Sequence, residues 1–470
     1  MPEIDRGDTQ ANILEGYRAK HVTHLFFRFE PGYGRSALEA LSRHVTSAHR
    51  EEGGAPEFIC NLGISCEGLR ALGLPEALLA KLPEAFRAGM RRRADILGDQ
   101  PKEFDSDWEQ AVHLWVWIQA REARVLRAQS KVVRDAASAG ARFAFAMDGS
   151  ALLDEQDNPL EHFGFRDSLS QPRVAGSASA MRPGSGVFEP GSGWRPIATG
   201  EFLLGHRDET GDAATAGVPE ELTLNGTFAV VRKLEQDVAK FEAYIQLEAA
   251  RLQAAGLQEA SPEWIAERMV GRTRAGTPLT SSPLGAISFA DDLDGRRCPL
   301  GAHIRRAHPR DGRQSGGSFA RHRILRRGMP YGPAYAKDPE AKRGLLFVAL
   351  NADFDRQFEF LQQRYMNDGA AVRQGTDPDP LLSPPGVEGN FVIPGDPHGE
   401  RDTAICKSVP TFVTCRGGEY FFVPGFRSLG LLGQWASTPA RAVSGIPASP
   451  HTVNSPLSDR APARDKESLA

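Results

Sequence analysis

The chain has 470 residues, of which 40% are hydrophobic and 25% are charged, and its formal net charge is −4. This composition is typical of a folded globular protein of about two to three domains, and it excludes an intrinsically disordered chain. The nearly balanced charge gives no electrostatic basis for binding nucleic acid, and no stretch approaches the roughly 20 apolar residues that span a membrane.

The N-terminus and the cysteines indicate a cytoplasmic protein. The first ten residues, MPEIDRGDTQ, have neither the basic region nor the apolar run of a secretory signal. The five cysteines include no CxxC pair, so we expect neither a disulfide framework nor a structural zinc site.

Four segments of the chain pair a strand-like apolar run with a helical pattern. The runs cover residues 24–30, 111–120, 227–232 and 344–351, and the helical patterns that follow them cover residues 35–49, 121–134, 234–250 and 354–365. β-Branched and aromatic residues favour the strands, and the 3.6-residue period favours the helices. Further strands are predicted at residues 141–147, 411–415 and 419–423.

Two strand–helix units in each half predict a duplicated α+β module. Residues 411–423, TFVTC-RGG-EYFFV, have the pattern of a β-hairpin. We therefore expect largely antiparallel sheets with helices packed on one face.

Segments rich in Gly, Pro and small residues interrupt this pattern. Residues 181–200, 205–217 and 374–399 are irregular, and long irregular segments in a compact protein are commonly functional or disordered. Beyond residue 439 the chain is dominated by Ala, Ser, Pro and charged residues, which predicts a disordered tail.

The densest group of reactive side chains lies in residues 298–311, CPLGAHIRRAHPRD. It holds His303 and His308 among several arginines. Neighbouring cations keep a histidine neutral, and a neutral imidazole is a good metal ligand. The arginines suit the carboxylates or phosphates of a bound cofactor. Taken alone, the segment favours a basic loop that pairs with surface acids.

Two further segments hold candidate site residues. In FGFRDSLSQP, residues 163–172, Asp167 would act as a proton shuttle if it were partly desolvated, although a helix N-cap or a turn is the commoner role of an Asp-Ser pair. In HRILRRGMPYG, residues 322–332, Arg326 follows an apolar pair, which places its guanidinium either at a strand end lining a pocket or in an exposed basic turn.

Together, these segments resemble the dye-decolorizing peroxidase family, haem enzymes built from two ferredoxin-like domains. Six segments match in order along most of the chain, and each of them alone would be a weak signal. They are TQANILEG, FGFRDSLSQP (at the family's GxxDG segment), CPLGAHIRRAHPRD, ILRRGMPYG, GLLFVALNADFDRQFEFLQQRYMND and FVTCRGGEYFFVPG.

The resemblance implies an α+β fold of two ferredoxin-like domains with antiparallel sheets and peripheral helices. It places the N-terminal domain, with the GFRDS segment, at residues 1–200. The C-terminal domain, which would contain most of the haem pocket, is placed at residues 201–438, and residues 439–470 form the predicted tail.

The resemblance also implies a site and a reaction. His303 would be the proximal ligand of the iron of haem b, Asp167 the distal acid–base residue and Arg326 the distal arginine. With hydrogen peroxide as oxidant, Asp167 would carry a proton between the two peroxide oxygens, and Arg326 would stabilise the negative charge that develops. An organic donor such as a dye or a phenol would return the electrons.

Two positions depart from the family pattern. Ser168 replaces the final glycine of GxxDG, so if a positive φ is required there, we expect Asp167 to be aimed differently and turnover to be slower. His308 replaces the more usual Asn before Pro-Arg. Five residues from His303, it would not share a helix face with it, so we expect a hydrogen-bonding neighbour, with an exchange of ligands left open.

Family members often oxidise bulky dyes at the protein surface through Trp or Tyr relays. In this sequence Trp115 and Trp117 alternate along one predicted strand and are expected in the core. Trp194, in a Gly-rich segment, is the better candidate for exposure.

A non-catalytic haem carrier or sensor on the same fold is the alternative function, with Ser168 marking a decayed distal side. A structural protein without haem is the third. Homo-oligomer formation is left open. A bacterial protein shell is a known partner within the family, and the C-terminal tail is where a docking peptide would lie, but PLSDRAPARDKESLA gives no clear signal for one.

Overall fold

The computed structural model describes residues 4–49, 56–177, 181, 184–189, 191–213, 218–280, 287–311, 319–396 and 402–435. The disordered tail predicted for residues 439–470 lies outside the described residues. Among the described residues, none of the helices combines the length and the apolar character needed to cross a membrane. All five cysteines are buried and free.

Most α-helices in the described part of the chain are short. In chain order, the strands are β1 (His21–Phe29), β2 (Phe58–Ile64), β3 (Leu114–Ala120), β4 (Ala141–Ser150), β5 (Leu152–Leu153), β6 (Pro159–Leu160), β7 (Val187–Glu189), β8 (Gly193–Arg195), β9 (Thr227–Gln236), β10 (Leu325–Arg326), β11 (Met329–Tyr331), β12 (Gly344–Asn351), β13 (Gly389–Ile393), β14 (Ala404–Val409) and β15 (Val413–Val423). The α-helices are α1 (Ala11–Leu14), α2 (Gly34–Ser42), α3 (Cys66–Ala71), α4 (Glu76–Leu79), α5 (Glu84–Ala88), α6 (Ala94–Leu97), α7 (Ala123–Ala137), α8 (Glu220–Thr223), α9 (Val238–Ala254), α10 (Pro262–Val270), α11 (His303–Ala307) and α12 (Phe426–Trp435). Short 3₁₀ helices cover Met90–Arg93, Pro101–Glu103, Ser106–Trp108, Thr199–Glu201, Phe319–His322 and Ala370–Val372, and π-helical turns cover Phe354–Phe358 and Leu361–Met366.

Nine strands form one antiparallel sheet that both halves of the chain build. The strand order is β10-β12-β9-β15-β2-β3-β1-β4, and β11 also pairs with β12. Strands β4-β1-β3-β2 and β15-β9-β12-β10 each have the order of a ferredoxin-like sheet, and Phe422 of β15 pairs with Ile64 of β2 at the junction. The predicted α+β class with antiparallel sheets is confirmed. The domain limits at residues 1–200 and 201–438 stay predictions.

Strand β3 shows that the sheet is covered on both faces. All of its residues are buried. Leu114, Val116 and Ile118 point into a core shared with helices α2 and α7, whereas Trp115 and Trp117 point into a second core on the opposite face. The two indole rings are stacked with centroids 5.4 Å apart, so both tryptophans are core residues, as predicted.

The hairpin predicted for residues 411–423 is wrong. Val413–Val423 is a single strand that pairs with β9 along most of its length and shifts register between Cys415 and Gly418. The extra residues form a β-bulge rather than a turn. Gly417 adopts a φ of 131°, and a Cβ placed there would lie 2.1 Å from the Trp108 ring. The Arg-Gly-Gly run therefore supplies the bulge and makes room for an indole.

Three predicted helices have different limits or geometry. The helix predicted for residues 35–49 ends at Ser42, after which the N–H of Thr46 donates to the carbonyl of Cys60 at 2.8 Å. The one predicted for 234–250 begins at Val238, because strand β9 continues to Gln236 and Asp237 caps the helix. Residues 354–366 are largely π-helical rather than α-helical.

We predict that Gly417→Ala lowers the free energy of unfolding by about 2–4 kcal/mol, since the new methyl group both strains the backbone and overlaps Trp108. Urea denaturation measures the change. Gly430→Ala is the matched control, because no atom of the described residues lies within 4 Å of a Cβ at that helical position, and it should be neutral or stabilising by up to about 1 kcal/mol. Equal effects of the two substitutions would contradict this account of the bulge.

Candidate active site

His303 is the first residue of helix α11, and its imidazole is oriented by a carboxylate far along the chain. Its Nδ1 lies 3.0 Å from Oδ2 of Asp379. The Asp379 side chain is 0% exposed, whereas that of His303 keeps 27% exposure. Among the described residues no protein group is hydrogen-bonded to Nε2 of His303. An N–H on Nδ1 that donates to Asp379 leaves the Nε2 lone pair available to bind a metal.

Asp379 is held as an ionised acceptor. Its Oδ1 accepts hydrogen bonds from the backbone N–H groups of Leu381 and Leu382 at 2.9 and 3.0 Å. Burial opposes ionisation, but His303, Arg306 and the N–H of Leu381 outweigh it, so the pKa of Asp379 lies below its ordinary value of 3.8. Asp379 is therefore the hydrogen-bond partner that an imidazole ligand requires.

Arg306 connects helix α11 to the loop that carries Asp379. Its buried guanidinium donates to the carbonyl of Gly301 at 3.1 Å, to that of Tyr365 at 3.1 Å and to that of Asp377 at 2.7 Å. These contacts hold the start of the helix and the Asp379 loop together. The arginine thus has a structural role in place of the cofactor contact that the sequence suggested.

Asp167 and Arg326 are brought together from distant parts of the chain. Oδ1 of Asp167 lies 3.9 Å from Nη1 of Arg326, and the two side chains are 31% and 39% exposed. The N–H of Ser168 donates to Oδ1 of Asp167 at 2.6 Å. Ser168 itself has a φ of 62°, so the serine adopts the left-handed conformation that a glycine would take more easily.

The loop that carries Asp167 is held from two sides. The Glu161 carboxylate accepts the N–H groups of Phe163 and Phe165, both at 2.9 Å. Arg274 donates to the carbonyl of Phe163 and lies over the Phe165 ring, 5.0 Å from its centroid. Asp167 is therefore part of a hydrogen-bonded loop, not a helix N-cap.

Three buried arginines lie close to Arg326 and to the end of helix α11. Arg272, Arg310 and Arg323 are 8%, 8% and 7% exposed. Burial, and next the Arg326 guanidinium, lowers the pKa of Arg272 to about 10 and that of Arg323 to about 9. Burial, followed by Arg323 and Arg272, lowers the pKa of Arg310 to about 9. In the described part of the chain, none of the three forms an ion pair with a carboxylate, so the cluster has unbalanced positive charge.

His308 belongs to this cluster. Its Nε2 lies 3.1 Å from Nη1 of Arg323, which donates to it. Burial, then Arg323 and Arg310, lowers the pKa of His308 well below 6.5, so its imidazole is neutral. His308 is thus a hydrogen-bonding residue near the end of helix α11, as expected, and its partner is Arg323.

An apolar wall connects helix α11 with the loop after Asp379. Leu361, Tyr365, Met366 and Val372 are buried together. Partly buried apolar residues pack against them from helix α11, from the segment before Arg326, from the π-helical segment and from the Asp379 loop: Ala307, Phe319, Ile324, Phe360 and Leu382. A flat apolar group could be covered by such a surface on one side.

The other arginines of this part of the chain do not share the environment of Arg310. Arg297 forms an exposed ion pair with Asp291 at 2.7 Å. Arg305 is 1% exposed and paired with Asp292 at 3.0 Å.

Among the described residues, no three His, Cys, Asp or Glu side chains converge where they would hold a metal ion.

Sequence reasoning missed Asp379, Arg272 and Arg323. Asp379 lies 76 residues from His303. The only feature of the sequence that could have pointed to it is its position in the irregular segment 374–399, since such segments are commonly functional. Arg272 directly follows helix α10 and has no motif around it. Arg323 lies within the HRILRR run, but nothing in that run distinguishes a buried arginine from an exposed one.

We predict that Asp379→Asn lowers the free energy of unfolding at pH 7 by about 1.5–3 kcal/mol, because a buried charge-assisted hydrogen bond is weakened. The folded-state pKa of Asp379 lies below 3.8. The ionised side chain therefore makes its full contribution to the free energy of unfolding above the unfolded-state pKa, and this contribution is lost as the pH falls through the lower folded-state pKa. Urea denaturation from pH 7 to pH 3 should therefore show that the difference in free energy of unfolding between Asp379→Asn and wild type becomes smaller below about pH 4.

Asp294→Asn is the control, because its carboxylate is 68% exposed and its loss should change stability by less than about 0.5 kcal/mol. A constant difference between Asp379→Asn and wild type over the whole pH range would show that Asp379 is not held ionised by the fold.

Comparison with known proteins identifies relatives along nearly the whole chain. The family described as Dyp-type peroxidase, C-terminal, matches residues 205–374. The multifunctional dye peroxidase DyP2 of Amycolatopsis sp. is 29% identical over 465 residues, covering 90% of this chain and 94% of that protein. Peroxidase 2 of Mycetinis scorodonius is 27% identical over 468 residues, covering 90% of this chain and 86% of that protein.

Solved structures show the same similarity. A dye-decolorizing peroxidase in complex with 2,6-dimethoxyphenol superposes with a TM-score of 0.76 at 27% identity, over 92% of this chain and 100% of that chain. A DyP-type peroxidase of Anabaena sp. superposes with a TM-score of 0.74 at 25% identity, over 91% of this chain and 94% of that chain.

Proposed function

This chain belongs to the dye-decolorizing peroxidase family, and on that premise we propose that it reduces hydrogen peroxide and oxidises organic donors such as dyes or phenols, with Asp167 and Arg326 as its catalytic residues. The observation that carries the proposal is the approach of a carboxylate and a guanidinium to 3.9 Å from segments far apart in the chain, with about a third of each side chain exposed. A general acid–base and a fixed cation are the groups that peroxide cleavage needs.

The residues present fit the haem on which this family depends. His303 offers Nε2 as an iron ligand while Asp379 holds Nδ1. Arg272, Arg310 and Arg323, which have no carboxylate partner among the described residues, suit the two carboxylates of the macrocycle. The apolar wall beside helix α11 suits its flat hydrocarbon surface. The sequence has no Cys-x-x-Cys-His motif for covalent attachment, which favours haem b.

The protein groups have separable tasks in this proposal. When bound, haem supplies the redox-active iron at which the O–O bond of hydrogen peroxide is cleaved. Asp167 accepts a proton from one peroxide oxygen on its carboxylate and returns it to the other. Arg326 stabilises the negative charge on the leaving oxygen. Asp379 keeps the imidazole of His303 in one tautomer and makes it more electron-rich.

The proposed donors follow from the relatives. One structural relative was solved with 2,6-dimethoxyphenol, and the Amycolatopsis relative is named as a dye peroxidase.

Trp194, the expected exposed tryptophan, is half-buried and lies against Phe188 with ring centroids 5.3 Å apart. This packing gives no support for Trp194 as a surface oxidation site.

We predict that His303→Ala abolishes the Soret absorption of the purified protein or shifts it, because the iron loses its protein ligand. His308→Ala is the matched control and should keep the wild-type spectrum, since that imidazole is bound to Arg323. Optical spectra of the three proteins decide the matter. A normal spectrum for His303→Ala together with a lost one for His308→Ala would show that the ligand is His308.

We further predict that Asp167→Asn lowers the rate constant of the reaction with hydrogen peroxide by about 10²–10⁴, with the Soret band unchanged, because proton transfer is lost and haem binding is not. Stopped-flow absorbance measures the rate. Asp157→Asn is the control, because Asp157 is 73% exposed in an ion pair with Lys20. In a non-catalytic haem carrier, neither substitution would change the rate constant with hydrogen peroxide. Equal rate constants for Asp167→Asn, Asp157→Asn and wild type would therefore refute the peroxidase mechanism proposed here.

A further inference from the structure

The side chain of Gln171 pairs with the backbone of Arg326 in both directions. Its Nε2 donates to the carbonyl oxygen of Arg326 at 3.1 Å, and its Oε1 accepts from the N–H of Arg326 at 3.2 Å. Strand β10 lies at the edge of the sheet, where Arg326 pairs on its other side with Ala349. The amide of Gln171 thus takes the place that a neighbouring strand would occupy.

The same segment also contacts the guanidinium of Arg326. Nη2 of Arg326 donates to the carbonyl oxygen of Ser170 at 3.3 Å. The hydroxyl of Ser170 in turn accepts from Nη2 of Arg272 at 3.0 Å. The segment that carries Asp167 therefore holds Arg326 by its backbone and by its side chain, and is itself held by a buried arginine.

The ion pair between Asp167 and Arg326 is too weak to set this geometry by itself. At 3.9 Å, with both side chains about one-third exposed, such a pair contributes on the order of 0–1 kcal/mol. A reciprocal pair of hydrogen bonds in a partly buried position contributes more and fixes direction as well as distance. The amide of Gln171 is thus a stronger constraint than the ion pair on where Arg326 lies relative to Asp167, and it acts together with the carbonyl of Ser170.

We propose that Gln171 is a positioning residue for the peroxide reaction, holding Arg326 at a fixed distance and orientation from Asp167. The proposal rests on the proposed function, because it assigns Gln171 an effect on the step in which those two residues act. Gln171 touches neither the carboxylate nor the guanidinium in the described contacts, so it acts through the backbone of Arg326. Its loss should slow the reaction with peroxide and leave the affinity for the organic donor unchanged.

Gln171→Glu tests the proposal with nearly unchanged shape. A protonated carboxyl group keeps one donor and one acceptor, whereas a carboxylate only accepts and cannot pair with the carbonyl of Arg326. Neighbouring guanidinium groups favour a carboxylate at position 171, so we expect the peroxide rate constant of this variant to be about tenfold below that of wild type at neutral pH and to approach the wild-type value only below about pH 4. The charged groups near this position are Asp167, Arg272, Arg326 and Arg327, whose guanidinium donates to the same Arg326 carbonyl at 3.0 Å. All four are present in both proteins, so the difference isolates residue 171.

Gln171→Leu and Gln156→Glu complete the series. Gln171→Leu should lower the peroxide rate constant about tenfold at every pH. Gln156 is exposed, and Gln156→Glu should follow wild type at every pH. The Soret band and the donor KM should be unchanged in all three variants, which separates a change in the peroxide step from loss of haem or of donor binding.

Hydrogen exchange of the Arg326 amide provides a readout that does not depend on activity. The N–H of Arg326 should be protected in wild type and in Gln156→Glu, and should exchange faster in Gln171→Leu. Wild-type rates for both Gln171 variants at all pH values, or faster exchange with an unchanged peroxide rate, would overturn the proposal. If Asp167→Asn also left the peroxide rate unchanged, the proposed function would fail, and the exchange data alone would still report on the contact between Gln171 and Arg326.

Should Gln171→Leu fail to fold, Gln171→Glu at acidic and neutral pH still decides the question within one protein. A pH profile that matched wild type would refute the positioning role.

Discussion

The carboxylate of Asp379 determines what the imidazole of His303 can do. Asp379 is fully buried, and its Oδ2 accepts a hydrogen bond from the Nδ1–H of His303 at 3.0 Å. The lone pair of the ring is therefore left on Nε2. Two backbone N–H groups hold the second oxygen of Asp379, which offsets the cost of burying its charge. Arg306 ties the same loop to the start of helix α11. The direction of one imidazole therefore depends on a loop far along the chain.

In the described part of the chain, the arginine cluster at the end of helix α11 has no carboxylate paired with it. Arg272, Arg310 and Arg323 are buried beside one another, and burial lowers the pKa of each. Buried cations without counter-charges are unfavourable unless another group offsets them. An anionic ligand would do so, and this favours a haem with carboxylates over an apolar cofactor.

The main strands could be predicted because burial on one or both faces leaves a pattern in the sequence. Residues 344–351 form the strand predicted for them with the same limits, and β3 begins three residues later than predicted. The failures have tertiary causes. Residues after Ser42 leave the helix because Thr46 pairs with Cys60, and Arg-Gly-Gly forms a bulge because Trp108 fills the space beside Gly417. Neither neighbour is close in sequence.

The sequence by itself determined the residue types of the proposed site, since His303, Asp167 and Arg326 each lie in a short segment whose order along the chain resembles a known family. Only the tertiary structure decided how these residues are held. Asp379 is 76 residues from His303, Gln171 is 155 from Arg326, and Arg272 is 102 from Ser170. Hydrogen bonds between such distant residues impose no periodicity and no local motif, because the fold brings the partners together from segments far apart in the chain.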